Sequence, residues 1–300
     1  MAEHRAVTEA LLRATRSYAG AHLGDGGVAA TPIDGIFILS ETAPSPLHYS
    51  ITKPLIALVL QGAKRVTMGC HSFEFGAGES LLITMDVPTM SQVTTASAAT
   101  PYYSLVMELD AAVITELVGK MGGLAATPDL PVRVGQTETE VAEAALRLLK
   151  LLSRPHALAL LGTQLVRELH YWLLSGRHGG AMRTLGISDS HTRRIARAVE
   201  ILRTRYAEPL RIKTLADAAG MSLSVFHTHF RNITTLTPLQ FQKQLRLLEA
   251  RRRLLADGAA ISAAAHGVGY ESVPQFTREY SRMFGQPPAR SIRGMRERAA

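Results

Sequence analysis

One pattern, which occurs twice near the end of the chain, constrains the fold more than any other feature: a short helix, a glycine turn and a serine-capped second helix. In the first copy, a predicted helix over Ile212–Ala219 is followed by Gly220, and Ser222 precedes a helix over Leu223–Ile233. Glycine ends helices because it enters the left-handed conformation at little cost, and a serine hydroxyl caps the next helix. The succession predicts a helix-turn-helix unit.

The same order recurs further along the chain, where a helix over Ile261–His266 is followed by the turn Gly267–Tyr270 and by Ser272, which caps a helix over Val273–Phe284. Each second helix carries two aromatic residues four positions apart, so that one of its faces packs inward. These pairs are Phe226 with Phe230, and Phe276 with Tyr280. Residues 191–300 are therefore predicted to form an all-α domain with two helix-turn-helix units.

A long helix links the two copies. It is predicted to begin after the cap Thr237, with Pro238 at its first position, and to run to Leu255. Its predicted buried stripe includes Phe241 and Leu255, and its arginines and lysine are expected on the outside. Such a helix would hold two reading helices apart, so that they enter successive major grooves about 34 Å apart.

The faces opposite the aromatic pairs supply the candidate DNA-binding residues, because hydroxyl, imidazole, amide and guanidinium groups bind base edges and phosphates. On the first helix and its cap they are Ser222, Ser224, His227, Thr228 and Arg231. On the second helix and its cap they are Ser272, Pro274, Gln275, Arg278 and Arg282. The expected partner is double-stranded DNA.

The distribution of charge agrees with this partner. Residues 1–190 hold 14 lysines and arginines against 17 aspartates and glutamates, whereas residues 191–300 hold 19 against 8. A net charge of +11 in one third of the chain attracts the phosphate backbone. A solvated basic face on a plain helical bundle, an anionic membrane surface, or an architectural protein indifferent to DNA sequence would give the same excess. The repeated motif favours sequence-specific DNA binding among these alternatives.

The region before residue 176 shows a different periodicity. Between Ile51 and Leu109, short apolar segments alternate with glycines every 8–12 residues, which predicts strands of an antiparallel barrel or sandwich. Helical patterns follow over 110–121, 137–152 and 156–174. The last two either pack on the barrel or form a dimer interface, and the sequence leaves both open. The fold class is therefore α+β.

Four segments are predicted along the chain. Residues 1–33 form an N-terminal extension with a helix over Val7–Tyr18, residues 34–176 form the β-domain, and residues 191–300 form the DNA-binding domain. Residues 177–190, rich in glycine and serine and without apolar periodicity, are expected to be a linker.

Other chemistry has little support in the sequence. His71 lies near Glu74 and Glu79, but the chain has no further histidine before His156, and a cupin metal site needs three or four convergent ligands. The lone Cys70 can form neither an internal disulfide nor a zinc site. We therefore expect no metal, no cofactor and no catalytic residue. Without an apolar run of about 18 residues or a signal-peptide pattern, we expect no membrane span and a cytoplasmic location.

The runs LADAAGMSLSVFHTHFRNIT, TPLQFQKQLRLLEARRRLL and ISAAAHGVGYESVPQFTREYSRMFGQPPARSIR together resemble the tandem helix-turn-helix domain of AraC/XylS-type transcription regulators. Thr228 stands where members often carry a basic residue. PLIALVLQGAKRVTMG through TPYYSLVMELDAAVITELV resembles the cupin-like N-terminal domain of one subgroup. The resemblance implies that this domain binds a small-molecule effector or mediates homodimerisation, and that the protein acts at promoters with RNA polymerase. A metal-dependent cupin enzyme fused to a DNA-binding module is the competing interpretation.

Overall fold

The computed structural model describes residues 2–122, 131–187 and 190–299. They form two compact parts, an N-terminal domain (Met1–Arg193) and a C-terminal domain (Arg194–Ala300). Every strand of the described residues lies in the N-terminal domain, and the described part of the C-terminal domain contains helices only. The predicted α+β class is therefore confirmed.

In the described part of the N-terminal domain, ten strands form two antiparallel sheets. The six-stranded sheet has the order β1-β2-β9-β4-β7-β10, and the four-stranded sheet has the order β3-β8-β5-β6. The strands are β1 (Val28–Ala30), β2 (Ile36–Glu41), β3 (His48–Thr52), β4 (Leu55–Gln61), β5 (Ala63–Met68), β6 (His71–Gly76), β7 (Glu79–Ile83), β8 (Val87–Thr95), β9 (Tyr102–Glu108) and β10 (Val132–Gln136).

Both faces of the six-stranded sheet are covered, as β4 shows. Five successive residues of β4, from Ile56 to Leu60, are buried. Since successive side chains of a strand point to opposite faces, neither face of β4 meets solvent there. Ile56 and Leu58 pack with helical residues, whereas Ala57 and Val59 lie on the face toward the four-stranded sheet. The predicted cupin-like domain is thus a two-sheet β-structure with helices on one side.

Among the residues that the structure describes, five α-helices belong to the N-terminal domain: α1 (Ala2–His22), α2 (Ala111–Met121), α3 (Thr139–Leu152), α4 (Pro155–Ser175) and α5 (Gly179–Gly186). Each contributes buried apolar side chains to one cluster against the six-stranded sheet, including Leu11, Ile114, Leu148, Leu169 and Met182. Packing of the two predicted helices on the β-domain is therefore observed.

Two predicted boundaries are wrong. Residues 1–33 are not a separate extension, because Leu11 of α1 is fully buried in the domain core and β1 pairs with β2. Residues 177–190 are not simply a linker, since Gly179–Gly186 form α5, whose Met182 is fully buried. Small residues in this segment conceal its helical pattern. A Cβ at Gly186 would lie 2.7 Å from the Val118 side chain, so the glycine permits close packing with α2.

The C-terminal domain follows the predicted succession of helices, and residues 288–299 add one that was not predicted. Its helices are α6 (His191–Thr204), which begins three residues before the domain boundary, α7 (Ile212–Ala218), α8 (Leu223–Thr234), α9 (Pro238–Ala256), α10 (Ile261–Gly267), α11 (Val273–Phe284) and α12 (Pro288–Ala299). Helices α7 and α8 form the first unit, and α10 and α11 form the second unit.

Helix α9 serves both units. Its Phe241 ring meets Phe230 of α8 edge to face, with centroids 5.6 Å apart. Its Leu247 and Leu254 belong instead to the core that contains Phe276 of α11. The predicted stripe is wrong at one position, because Leu255 is exposed and Leu254 is buried. One helix therefore supports two small cores.

None of the helices within residues 2–122, 131–187 and 190–299 has the combination of length and apolar character that a membrane span requires.

Candidate nucleic-acid interface

The turns of the two units have the same backbone geometry. The amide of Met221 in the first turn and that of Tyr270 in the second each donate a 3.0 Å hydrogen bond to the carbonyl five residues earlier. The preceding residues, Gly220 and Gly269, have φ of +61° and +88°. A left-handed residue followed by such a bond is the Schellman helix end. The predicted glycine turns are confirmed in both units.

An arginine from the preceding long helix holds each turn. In the first unit, Arg194 of α6 donates to the Ala219 carbonyl at 2.8 Å and also to the Gly220 carbonyl. In the second unit, Arg246 of α9 donates to the Gly269 carbonyl at 2.9 Å. Cations stabilise helix ends by binding carbonyls that have no partner within the helix.

Arg246 has further intramolecular partners, and so do Lys243 and Arg253 of the same helix. Arg246 donates to the Tyr206 carbonyl at 2.7 Å and to two neighbouring carbonyls, and burial lowers the pKa of its guanidinium. Lys243 pairs with Glu279 of α11 at 2.8 Å, and Arg253 donates to the Tyr206 hydroxyl at 3.0 Å. Arg252 lies on the outside of α9 as expected, whereas Lys243, Arg246 and Arg253 also join α9 to its neighbours.

The aromatic pairs fix which faces of α8 and α11 point outward. Phe226, Phe230, Phe276 and Tyr280 are all fully buried. With 3.6 residues per turn, burial of these positions leaves the opposite faces of both helices at the surface. The prediction that these residues anchor the helices is confirmed.

The first reading face consists of the exposed residues Ser222, Ser224, His227, Thr228 and Arg231. Ser222 stands at the N-cap position, but its side chain makes no capping hydrogen bond, so its hydroxyl is available to a ligand. The Thr228 hydroxyl donates to the Ser224 carbonyl at 3.1 Å. Within the described residues, the Arg231 guanidinium makes no hydrogen bond or ion pair.

The second reading face consists of Ser272, which is half-buried, and of Pro274, Gln275, Arg278 and Arg282, which are exposed. The Ser272 hydroxyl accepts from the Gln275 amide at 3.4 Å and thus caps α11 as predicted. The Gln275 side chain donates to Glu279 at 3.3 Å. Neither Arg278 nor Arg282 has a hydrogen bond or ion pair in the part of the chain that the structure describes.

Each unit therefore presents at least one exposed guanidinium group, without a partner among the described residues, on the outer face of its second helix. Comparison with known families agrees with this architecture. The N-terminus of AraC-type transcriptional regulators matches residues 32–181, which is half of the chain, and a helix-turn-helix domain matches residues 215–293. This chain belongs to the AraC-type transcriptional regulators. Its C-terminal domain is the helix-turn-helix domain of such a protein.

Curated relatives of this chain are bacterial transcriptional activators. The HTH-type transcriptional activator RhaS of Pectobacterium carotovorum subsp. carotovorum is 33% identical over 87 residues, which are 29% of this chain and 31% of RhaS. RhaS of Pectobacterium atrosepticum is 34% identical over 87 residues, with the same coverage. The matched segment thus spans about a third of the length of these curated relatives.

Solved structures of ToxT from Vibrio cholerae share the fold. An apo form of a ToxT variant has a TM-score of 0.57 at 8% identity, over 88% of this chain and 98% of that chain. Wild-type ToxT with a bound unsaturated fatty acid has a TM-score of 0.53 at 9% identity, over 86% of this chain and 93% of that chain. At such identities the likeness concerns the fold.

Sequence reasoning missed two side chains of the AraC-type domain. Leu223 and Val225, at the beginning of α8, are 48% and 44% exposed. The sequence-based prediction did not include them, because it selected only polar side chains on this face. An alignment of the two units on their buried aromatic residues would have found Val225, because it takes the place of Gln275.

The AraC-type N-terminal domain also contains buried or half-buried polar side chains on one strand of each sheet. Tyr102 and Ser104 of β9 are fully buried, and their hydroxyls lie near each other but have no other partner among the described residues. Lys64 of β5 pairs across its sheet with the buried residues Phe75 and Val93. Burial lowers the pKa of the Lys64 ammonium, although Glu41 opposes this shift. These polar groups could bind a polar or anionic small molecule.

His71, the residue considered for a metal site, is exposed on β6. Across residues 2–122, 131–187 and 190–299, no three histidine, cysteine, aspartate or glutamate side chains come together as a metal site would require.

Proposed function

We propose that this chain is a sequence-specific DNA-binding transcription regulator in which α8 and α11 each enter a major groove of promoter DNA. One observation carries the proposal: Arg231, Arg278 and Arg282 are exposed and have no hydrogen bond or ion pair with the residues that the structure describes, whereas Arg246 of the same domain binds carbonyl groups within it. An unpaired guanidinium at the surface costs little to bring to DNA, and it matches guanine or phosphate geometry.

A selection of the purified full-length protein against a random duplex library, at near-physiological salt, tests this function. The proposal predicts an enriched motif with two short blocks about one helical turn apart. Retention of bulk DNA without enrichment would contradict it and would indicate a basic protein indifferent to sequence. The selection is run both with and without the small-molecule fraction of a cell extract, because a small-molecule effector can control DNA binding.

We also propose that the N-terminal domain binds a small-molecule effector between its sheets, through Lys64, Tyr102 and Ser104. Buried polar groups without partners are costly unless a ligand or water binds them. A panel of aliphatic carboxylates, screened by thermal shift, should contain compounds that stabilise the protein. The substitution Lys64→Met should abolish that shift, whereas Lys53→Met, which removes an exposed ion pair with Glu108, should retain it. No shift with any carboxylate would exclude this ligand class.

Homodimerisation is proposed through α4. Leu160 is 74% exposed and Leu161 is 50% exposed on this helix, which is unusual for adjacent leucines and suits a second copy of the same face. Sedimentation should show a dimer for the native protein and a monomer for Leu160→Glu. A native monomer at micromolar concentration would contradict this proposal.

Membership of a family of transcription regulators supports two further expectations, RNA polymerase as a partner and action in the cytoplasm. In vitro transcription from the enriched site with purified polymerase should change when the protein is added. These proposals describe a regulator rather than an enzyme.

A further inference from the structure

The two reading faces can be compared position by position, because α8 and α11, with their cap residues Ser222 and Ser272, repeat with a fixed offset. The buried residues Phe226 and Phe276 lie 50 positions apart, as do Phe230 and Tyr280. Since the inward positions of α8 and α11 correspond at this offset, the outward positions must correspond as well. Val225 therefore takes the place of Gln275, and Thr228 takes the place of Arg278.

The second unit presents long hydrogen-bonding side chains at these two positions. Arg278 is exposed and unpaired among the described residues, and Gln275 makes only a 3.3 Å contact with Glu279. Arginine binds guanine O6 and N7 with two hydrogen bonds, and glutamine binds adenine N6 and N7 in the same manner. The second unit can therefore discriminate bases through paired hydrogen bonds.

The first unit presents apolar groups at the same two positions. Val225 has no polar atom in its side chain and is 44% exposed, and Leu223 beside it is also exposed. The Thr228 hydroxyl is turned back to the Ser224 carbonyl, which leaves the methyl group of Thr228 for an outside partner. In the major groove, the group that apolar side chains recognise is the C5 methyl of thymine.

We infer that the two units read chemically different half-sites: α8 recognises thymine methyl groups through Val225 and Thr228, while α11 recognises guanine and adenine through Arg278 and Gln275. This inference rests on the proposed function, since it requires that both helices enter major grooves. It predicts a target with unlike blocks rather than a repeat of one block.

Replacement of thymine by deoxyuridine tests the inference, because it removes the methyl group and changes no hydrogen-bonding atom. The enriched duplex from the library selection is the starting site. The block read by α8 is identified as the block where Val225→Ala relaxes base preference, and the block read by α11 as the one where Arg278→Ala does so. Leu255→Ala, which alters an exposed leucine at the far end of α9, is the matched control.

Deoxyuridine in the α8 block should weaken binding by about threefold to fivefold for each methyl group lost, since burial of one methyl-sized group is worth about 0.8 kcal/mol. The same replacement in the α11 block should have little effect. In a further duplex, cytosine replaces a thymine of the α8 block and removes its methyl group. Replacement of that cytosine by 5-methylcytosine, which restores the methyl group, should recover part of the affinity.

Specific binding that is insensitive to deoxyuridine in the α8 block would overturn the inference and leave the proposed function intact. A guanine-rich α8 block would overturn it too. Failure to enrich any motif would instead contradict the proposed function itself, so the two failures are distinguishable.

Discussion

The first and second units share their backbone geometry and differ in how much room surrounds it. A Cβ added at Gly220 in the first turn would meet only the Arg194 side chain, at 3.3 Å. A Cβ added at Gly269 in the second turn would lie 2.0 Å from the carbonyl oxygen of Ala207. The first turn is thus held by a flexible side chain, whereas the second is packed directly on backbone.

The side chains that α8 and α11 bury at matched positions also make different contacts. Phe230 of α8 rests on the Phe241 ring, a purely apolar contact. At the position that corresponds to Phe230, Tyr280 of α11 donates a hydrogen bond to Ser291 of α12 at 3.2 Å, where Ser291 is buried. The two units thus repeat one fold with different packing, so that substitutions at matched positions should have unequal effects.

The largest difference is expected at the turn glycines. Gly269→Ala should destabilise the second unit by about 3–5 kcal/mol, because left-handed strain adds to a steric overlap. Gly220→Ala should cost about 1–2 kcal/mol, since only the strain applies. Chemical denaturation measures the change in the free energy of unfolding, and amide hydrogen exchange in α10 and α11 shows whether the second unit is the part destabilised. Equal losses would show that the Ala207 contact imposes no constraint.

The next effect concerns the arginine that joins the second turn to α9 and Tyr206. Arg246→Ala should lower the free energy of unfolding by about 2–4 kcal/mol, because several carbonyls, most of them half-buried, lose a charged donor. Arg252→Ala is the control on the same helix, and it removes only exposed ion pairs with Glu249 and Asp257. Its expected cost is much smaller than that of Arg246→Ala, because solvent screens exposed ion pairs. Equal costs in denaturation would contradict the structural role of Arg246.

Loss of DNA affinity should be unequal between the reading faces. Arg278→Ala should cost about 1–3 kcal/mol on the selected site and much less on random DNA, because a bidentate contact to one base is lost. Thr228→Ala should cost about 1 kcal/mol or less, since it removes one methyl group and a hydroxyl that bonds its own helix. Fluorescence anisotropy measures both. A uniform loss for Arg278→Ala on both DNAs would make it a phosphate contact.

The smallest effect lies at the ends of α8 and α11, where Thr235 has φ of +64° and Gly285 has φ of +76°. A β-branched residue is strained in the left-handed region. Thr235→Gly should therefore stabilise the protein by about 0.5–1 kcal/mol, after the entropy cost of glycine, and Gly285→Thr should destabilise it by about 1–2 kcal/mol. Denaturation midpoints that fall for both variants would contradict the argument from strain.

Local signals in the sequence were sufficient to predict much of the fold. Glycine turns at Gly220 and Gly269 and the aromatic pair Phe276 and Tyr280 depend on neighbours within a few residues, and so they were predicted correctly. Strands β4 to β7 and β9 were indicated by their apolar segments. The helix α5 was missed because Gly179 and Gly186, which permit its close packing, look like linker residues.

Contacts between distant residues could not be predicted. In the sequence, Arg246 is one of several cations of α9 that the helical pattern places on the outside. Only the folded chain brings it to the Tyr206 and Gly269 carbonyls. Ser222 occupies the expected cap position without the expected bond, since capping depends on a rotamer that the sequence does not specify. The DNA contacts of both reading faces stay predictions.

The measurement that tests the central claim most directly is a second library selection, with the double variant Val225→Gln and Thr228→Arg. It transfers the reading residues of α11 to α8 at exposed positions, and a melting curve confirms that the fold is kept. If the two units differ only in their reading residues, the base preference in the α8 block should change from thymine to guanine and adenine, as in the α11 block. The selected motif would then contain two similar blocks. An unchanged motif at retained affinity would contradict the account, because these positions would then not read bases.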